Sequence, residues 1–442
     1  MRLPLKTPEP RVSAQRVLTT RIASFDREVP GYSVAMRLPR ALVDESVPAL
    51  LTGYAWLPGL RARTESGVVH TRLLGQRAVA LCGPDAARFF YDEHNVRRSG
   101  AVPLPVQKTL FGRNAVHTLD GADHRARKRR FLSYLTPEMS ENIAEHVAAA
   151  WDEAIADQRP GQQVVLFDEA SRVITRGTCR AVGIPLAESE LPGLARDLVA
   201  MVDGFATPGP RHGRARRARR RRESWLARLV DRVRDGSLEP PEGSLLETAA
   251  RSWVPNGGLT ARTAAVELLN VIRPTVAVCW FIAHTGHALH RWPRYRQRLR
   301  EDDGEFAEAF AHEVRRFYPF APFIGGRAVR ESSWRGERIP EGAMVLLDLW
   351  GHNHDPELWG DPYVFRPERF LGREIGPFEL VPQGGGDPAT NHRCPGEPTA
   401  VAILATLAVR LARLDYRVPE QDLTISLRRV PARPESGFVL TT

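Results

Sequence analysis

Cysteine is scarce in this 442-residue chain: Cys82, Cys179, Cys279 and Cys394 are the only four, and no two form a C-x-x-C pair. That spacing excludes a zinc module and a disulfide framework. No apolar run approaches the ~20 residues needed to span a bilayer, and the opening MRLPLKTPEPRVSAQR has no hydrophobic centre of a signal peptide. The expectation is a soluble cytoplasmic protein with no membrane anchor. Internal repeats are absent too, and Pro and Gly, 35 each, follow no period, which excludes collagen-like and solenoid architectures. The charge balance is only moderately one-sided, 62 Lys plus Arg against 52 Asp plus Glu, a net +10; this bears on solubility and attraction of anions rather than on fold. What is present is ordinary globular material, 43% hydrophobic and 26% charged. At ~150 residues per domain the length allows about three domains, but no linker-like stretch separates the parts, so residues 1–442 are read as one large domain.

The first sixty residues look irregular. From Val68 to Leu81 the pattern reads as two short strands broken at Gly75, and GPDAARFFYDE from Gly83 has the cap and apolar spacing of a helix start. Beyond Pro137, apolar residues recur at three- and four-residue spacing in Met139–Gln158, Asp168–Val182, Trp225–Val233, Thr260–Leu289, Phe306–Tyr318 and Pro398–Leu414. The prediction is a mainly α protein with a small β-sheet region. The arginine run HGRARRARRRRE, His212 to Glu223, is read as a solvated helix face. It lacks the aromatic interleave or zinc pattern of a nucleic-acid binder.

Cys394 differs from the other cysteines. It sits in VPQGGGDPATNHRCPGE, a Gly-rich loop carrying His392 and Arg393, directly before a long apolar helix. Flanking cations and a helix start favour thiolate over thiol, and glycines let backbone approach a flat ligand closely. The remaining cysteines read as small buried hydrophobes. Upstream, Glu313 and Arg316 share one helix face, and FRPERF, Phe365 to Phe370, supplies arginines that complete an ionic network with them.

In this order and spacing, E-x-x-R, then FRPERF, then a Gly-rich loop with Cys-x-Gly, the chain resembles a cytochrome P450. The resemblance implies the mainly α triangular prism with a small sheet region, haem b as cofactor, Cys394 as the iron ligand, and Glu313 and Arg316 in a structural role. It places His124, Lys128, Arg98 and His392 as partners of the haem propionates. A thiolate ligand donates electron density to iron and favours O–O cleavage, giving an oxidant able to attack C–H bonds.

The long central helix, TAAVELLNVIRPTVAVCWFIAHTGHAL, departs from most of that family. Where an acid–alcohol pair usually delivers protons, it has Arg273-Pro274. Pro274 removes a backbone donor at a cost of ~3 kcal/mol, so a kink is expected. Arg273 lies in an apolar stretch and needs an anion; Glu267, six residues back on another face, is a poor partner. A substrate carboxylate gripped by Arg273 would replace the missing acid.

This arrangement is similar to the fatty-acid peroxygenase subfamily, which uses hydrogen peroxide directly and needs no redox partner. The matching segments are QKTLFG (107–112), LDG (119–121), PQGGG (382–386) and HRCPGE (392–397). The resemblance implies oxidation at Cα and Cβ, giving 2- and 3-hydroxy acids, with Leu110, Phe111, Phe320 and Phe323 lining the substrate site. His117 stands where the alkene-forming decarboxylase has His and hydroxylating relatives have Gln, so terminal alkenes are expected as well. His117 reads either as a proton donor or as a neutral hydrogen-bonding wall. Alternatives are a reductase-dependent monooxygenase on another substrate and a non-catalytic haem-binding protein.

Overall fold

The computed structural model describes residues 43–442 except 114, 206, 253–258, 302 and 303; the N-terminal segment read for a signal peptide lies outside the described residues. Helices dominate, and the predicted hairpin is present. Strands β1 (Val69–Leu73) and β2 (Gln76–Leu81) pair antiparallel. Gly75 at their turn has φ 74°, a conformation glycine adopts without a Cβ penalty. The hairpin joins β3 (Val96–Arg97), β5 (Phe323–Ala328) and β8 (Met344–Asp348) in a five-stranded sheet ordered β1-β2-β8-β5-β3. The β2/β8 pair is parallel, with Ala78 opposite Met344, and β8/β5 is antiparallel, with Leu347 opposite Ile324. Small pairs are made by β4 (Gln163–Val165) with β9 (Val439–Thr441) and by β6 (Ser332–Trp334) with β7 (Glu337–Ile339).

Where the first sixty residues were expected to be irregular, the described part, 43–60, is largely helical, in Ser46–Thr52 and Trp56–Arg61. These segments are too short to show a period, and what orders the second is Trp56 and Leu57 burying against Met344 and Leu346 of β8. The longer helices follow the predicted spacing. Pro137–Ala156 begins at Thr136, whose Oγ1 accepts the Met139 amide at 3.2 Å, with Pro137 in the first turn. It packs with Leu166–Ala181, the central helix and Glu397–Arg413 around Ile143, Trp151, Ile174, Ile272, Trp280 and Leu407.

The central helix runs as Ala261–Val276 and Val278–Arg291, interrupted at Ala277. Pro274 lacks the N–H that would have bonded back one turn, and the break follows three residues later. Contrary to the expectation that no apolar run is long enough, the Ala261–Arg291 span passes a membrane-crossing test by length and composition. Its most apolar window is 94% buried inside the protein, so it is the core helix.

A second correction concerns the arginine run. It lies in the Pro210–Arg234 helix, but it is not simply solvated: Arg219 is 1% exposed and pairs with Glu223 at 2.6 Å, and Arg222 pairs with Asp197 at 2.6 Å. Arginine's long stem lets a polar-looking stretch reach inward wherever a carboxylate or carbonyl waits.

The E-x-x-R pair is fully buried. Arg316 grips Glu313 through two bonds of 2.7 Å, Arg369 of FRPERF adds one at 3.1 Å, and the Arg366 amide donates to the same carboxylate at 2.8 Å. Arg316 also donates to the carbonyls of Asn353 and Pro362. Removing one charge from such a cluster strands the others in low dielectric. Glu313→Gln is therefore expected to lower unfolding free energy by about 3–5 kcal/mol, read as a shifted urea midpoint with an unchanged slope.

Candidate active site

The loop before the Glu397–Arg413 helix is held from several sides. The Cys394 amide donates to the Gln383 carbonyl at 3.0 Å, and Lys128 Nζ reaches the carbonyls of Asn391 and Arg393, both at 2.5 Å. Arg315, 1% exposed, donates to the Gln383 side chain at 2.8 Å and to Glu397, whose other oxygen accepts from Arg393 at 2.7 Å. The flanking cations are thus engaged by Glu397 or by backbone. Cys394 keeps some accessible surface, yet burial pushes its thiol up, against the pull of the Gly396 amide, Lys128 and Arg315. This reverses the expectation that the surroundings alone favour thiolate; metal ligation would remove the proton outright.

Beside the loop lies a group of cationic and imidazole side chains with free valences. Arg98, 6% exposed, has Nε and Nη1 without hydrogen-bond partners; His124 Nδ1 and His392 Nε2 make no hydrogen bond either, lying 3.9 Å from Glu93 and 3.7 Å from Asp120. The two imidazoles stack with centroids 3.9 Å apart. Burial holds both neutral, His124 down to about 3 and His392 down to about 4. Asp120 is drawn to about 2: burial opposes, but His392 and the Arg98 and Ser99 amides, each at 2.7 Å, prevail. Glu93, His124 and His392 also satisfy the spacing of a metal-ion cluster. Two neutral imidazoles, Arg98 and the remaining N–H of Lys128 form a donor set suited to carboxylates.

Arg273 is 5% exposed, its Nε has no hydrogen-bond partner, and no carboxylate among the described residues pairs with it. Glu267 is occupied elsewhere, by Arg127 at 2.5 Å and by Asn270 at 3.3 Å. Burial, then Arg219, push Arg273 down to about 9, while Cys394 acts in the opposite sense, which places Arg273 within electrostatic reach of the sulfur.

His117 stacks on Phe111 at 4.3 Å. Its pKa lies well below the ordinary value because of burial and then Arg273, with Arg98, His392 and Lys128 adding to the effect. An imidazole in that field is neutral at physiological pH, which favours the hydrogen-bonding wall over the cationic proton donor. Leu110 is 8% exposed. It lies with Phe111 in the Gln107–Phe111 turn, closed by the Gly112 amide on the Gln107 carbonyl at 2.7 Å. Phe320 packs on Phe281 of the central helix, centroids 5.1 Å apart. Phe323 instead packs on Trp56 with the sheet cluster.

The structure therefore gathers Cys394, His392, Lys128, His124 and Arg98 around one loop, and Arg273, His117, Phe111 and Leu110 next to it. Arg219, Asn270 and Arg315 belong to these surroundings and escaped the sequence reading. Arg219 was hidden in a charge run. Arg315 sits inside E-x-x-R itself, and its adjacency to Arg316 was the available signal.

A cysteine at the head of a core helix, beside the unbonded buried donors of Arg98, His124 and His392 in a mainly helical fold, is the arrangement of a haem-thiolate protein. Comparison with known proteins agrees. The cytochrome P450 family model matches residues 303–438. Ligand-free cytochrome P450 OleT superposes with a TM-score of 0.87 at 35% identity, covering 90% of this chain and 96% of that one. Cytochrome P450SP alpha in complex with (R)-ibuprofen gives 0.86 at 39% identity, covering 90% and 98%. The chain spans about a fifth of the length of carnosic acid synthase from Rosmarinus officinalis (21%, at 39% identity over 111 residues) and 40% of cytochrome P450 1A2 from Mus musculus (29% identity).

The chain belongs to the cytochrome P450 family. OleT and P450SP alpha are of the fatty-acid peroxygenase subfamily. The cofactor of these proteins is protoporphyrin IX haem with iron, and the residues present fit it. Cys394 would offer its thiol to the iron, and Arg98, His124 and His392, which have buried polar atoms without a hydrogen-bond partner, would face the two propionates. Arg98→Ala should speed loss of haem to a scavenger protein about tenfold or more, the value of a charge-assisted bond, with the thiolate absorption signature of the ferrous carbonyl form retained.

Proposed function

We propose that this protein is a single-domain, hydrogen-peroxide-dependent fatty-acid peroxygenase, acting at Cα and Cβ, and that it also forms terminal alkenes. The observation that carries the reading is Arg273: a buried guanidinium with no carboxylate partner among the described residues, within electrostatic reach of Cys394 and of His117. The relatives support the class of ligand, since OleT is described with arachidonic acid and P450SP alpha with (R)-ibuprofen, both carboxylic acids.

Haem bound through Cys394 supplies O–O cleavage of peroxide and C–H oxidation. The protein supplies the placement. Arg273 holds the carboxylate by a forked, charge-assisted pair that needs no reorganisation. The carboxylate, lying where the family usually has an acid, is the proton-handling group that accepts a proton from peroxide and returns it to the departing oxygen. Anchoring the head leaves only Cα and Cβ near the reacting centre, while Leu110, Phe111 and Phe320 exclude water around the start of the alkyl chain.

Hydroxylation inserts one peroxide oxygen into a C–H bond and releases the other as water. Alkene formation removes a Cβ hydrogen and carbon dioxide, with both peroxide oxygens leaving as water. His117, neutral and stacked on Phe111, orients the carboxylate by one N–H and biases the choice between these outcomes. Because the carboxylate and peroxide together complete the chemistry, no electron-transfer partner is required, and we extend the reading to a soluble cytoplasmic enzyme. Phe323, turned to the sheet, has no part in this account.

The test is turnover of purified haem-loaded protein with peroxide and saturated fatty acids of graded length, without reductase, read by mass spectrometry. Expected products are 2- and 3-hydroxy acids and alkenes one carbon shorter. Arg273→Ala should cut this activity by about a hundredfold or more with haem content intact; full activity in that variant would defeat the proposal. His117→Gln should shift products toward hydroxylation, and an unchanged ratio would remove His117 from the choice.

A further inference from the structure

The arginine run remains without a role in the chemistry above, yet one of its members reaches the site. Arg219 is the most enclosed arginine of the run, 1% exposed, and its three guanidinium nitrogens all donate. Nε bonds Glu223 at 2.6 Å, Nη1 bonds the Leu110 carbonyl, and Nη2 bonds the Phe111 carbonyl at 2.9 Å. The Phe111 carbonyl receives a second bond, from Asn270 Nδ2 at 2.9 Å. Asn270 lies one turn before Arg273 on the same helix.

The reason for this clamp is the turn itself. Gln107–Phe111 is a single wide turn, closed from the Gly112 amide to the Gln107 carbonyl. Its last carbonyls have no onward helix whose N–H groups would donate to them. Left unpaired in this enclosed place, each would carry the full penalty of its lost hydration. Gly112 shows how tightly the donor is seated: with φ of 86°, a Cβ there would fall 2.4 Å from Arg219 Nη2 and 2.8 Å from Val266 Cγ1. The chain leaves the turn by passing directly under the guanidinium.

We infer that Arg219 is a positioning residue for the reaction: with Asn270, it fixes the Leu110–Phe111 wall against the helix bearing Arg273, and so sets which carbon of the anchored acid is presented. The inference deepens the proposed function and rests on it. The carboxylate's position is set by Arg273 and the wall's position by Arg219 and Asn270, so the gap between them is determined by side-chain hydrogen bonds that tie the turn's carbonyls to the two helices. Neighbouring carbons of an extended chain differ by little more than an ångström, so a wall that drifts by that amount exchanges Cα for Cβ. Arg219 also bears on Arg273 electrostatically, which Glu223 moderates by pairing with Arg219.

The experiment compares wild type, Arg219→Met, Arg219→Lys and Asn270→Ala as haem-loaded proteins. Two readouts are taken: amide hydrogen exchange at Gly112, and the ratio of 2-hydroxy acid, 3-hydroxy acid and alkene from one fatty acid with peroxide. Arg219→Met should accelerate exchange at Gly112 and move the product ratio by about threefold or more, with haem content unchanged. Arg219→Lys, whose ammonium cannot fork across two carbonyls, should restore part of both. Asn270→Ala should move both in the same direction by less, and it decides the matter should Arg219→Met fail to fold. An unchanged product ratio in a variant that folds overturns the positioning role, even where exchange is faster; unchanged exchange overturns the clamp. A wild type that binds haem but leaves fatty acids unoxidised defeats the proposed function and the regiochemical part with it, while exchange at Gly112 still decides whether the clamp exists.

Discussion

An unpaired charge in a low-dielectric interior is the constraint around which this molecule is arranged. Five arginines are buried among the described residues: Arg98, Arg219, Arg273, Arg315 and Arg316. Three have carboxylate partners, Glu223, Glu397 and Glu313 respectively for Arg219, Arg315 and Arg316. Arg98 and Arg273 have no ion-pair partner among the described residues. Burying a guanidinium alone is so costly that a fold retains it only where a ligand completes the pair. On the proposed reading the two exceptions mark two anions, the cofactor's carboxylates for Arg98 and the substrate's for Arg273.

The same constraint explains the traffic of carboxylates around the central helix. Glu267, the obvious local acid, is drawn off by Arg127 and Asn270, and Glu223 is drawn off by Arg219. Each of these pairings keeps an internal anion from neutralising Arg273. The helix break at Ala277 follows from Pro274, directly beside the guanidinium, so the anchor sits at the end of a regular segment rather than in its middle. Around it, packing is aromatic and rigid: Phe111 on His117, Phe320 on Phe281.

Much of this was legible in the chain. The Cys394 loop, the E-x-x-R pair and Arg273-Pro274 are local strings in which residue type and spacing carry the chemistry. The long helices were legible because their apolar period runs over four or more turns. What escaped was set by contacts distant in sequence. Arg127 and Glu267 lie 140 positions apart, and Arg219 and Leu110 lie 109 apart. Nothing local distinguishes an inward-turned arginine from its solvated neighbours in a run of them. The Cys394 environment was misjudged for a related reason: its flanking cations were counted, but not the Glu397 and backbone carbonyls that absorb them. Short helices such as Trp56–Arg61 were missed because six residues cannot display a period.

The Glu313 cluster has a topological side. Its carboxylate collects the side chain of Arg316 together with the Arg366 amide 53 positions later and Arg369 beyond it. Everything between, including strands β5 to β8, is enclosed in a ring fastened by ions instead of sulfur. A protease nick at the exposed Arg335-Gly336 turn would leave two fragments that stay fastened under native conditions, a noncovalent counterpart to the disulfide loops that this cysteine-poor chain does without.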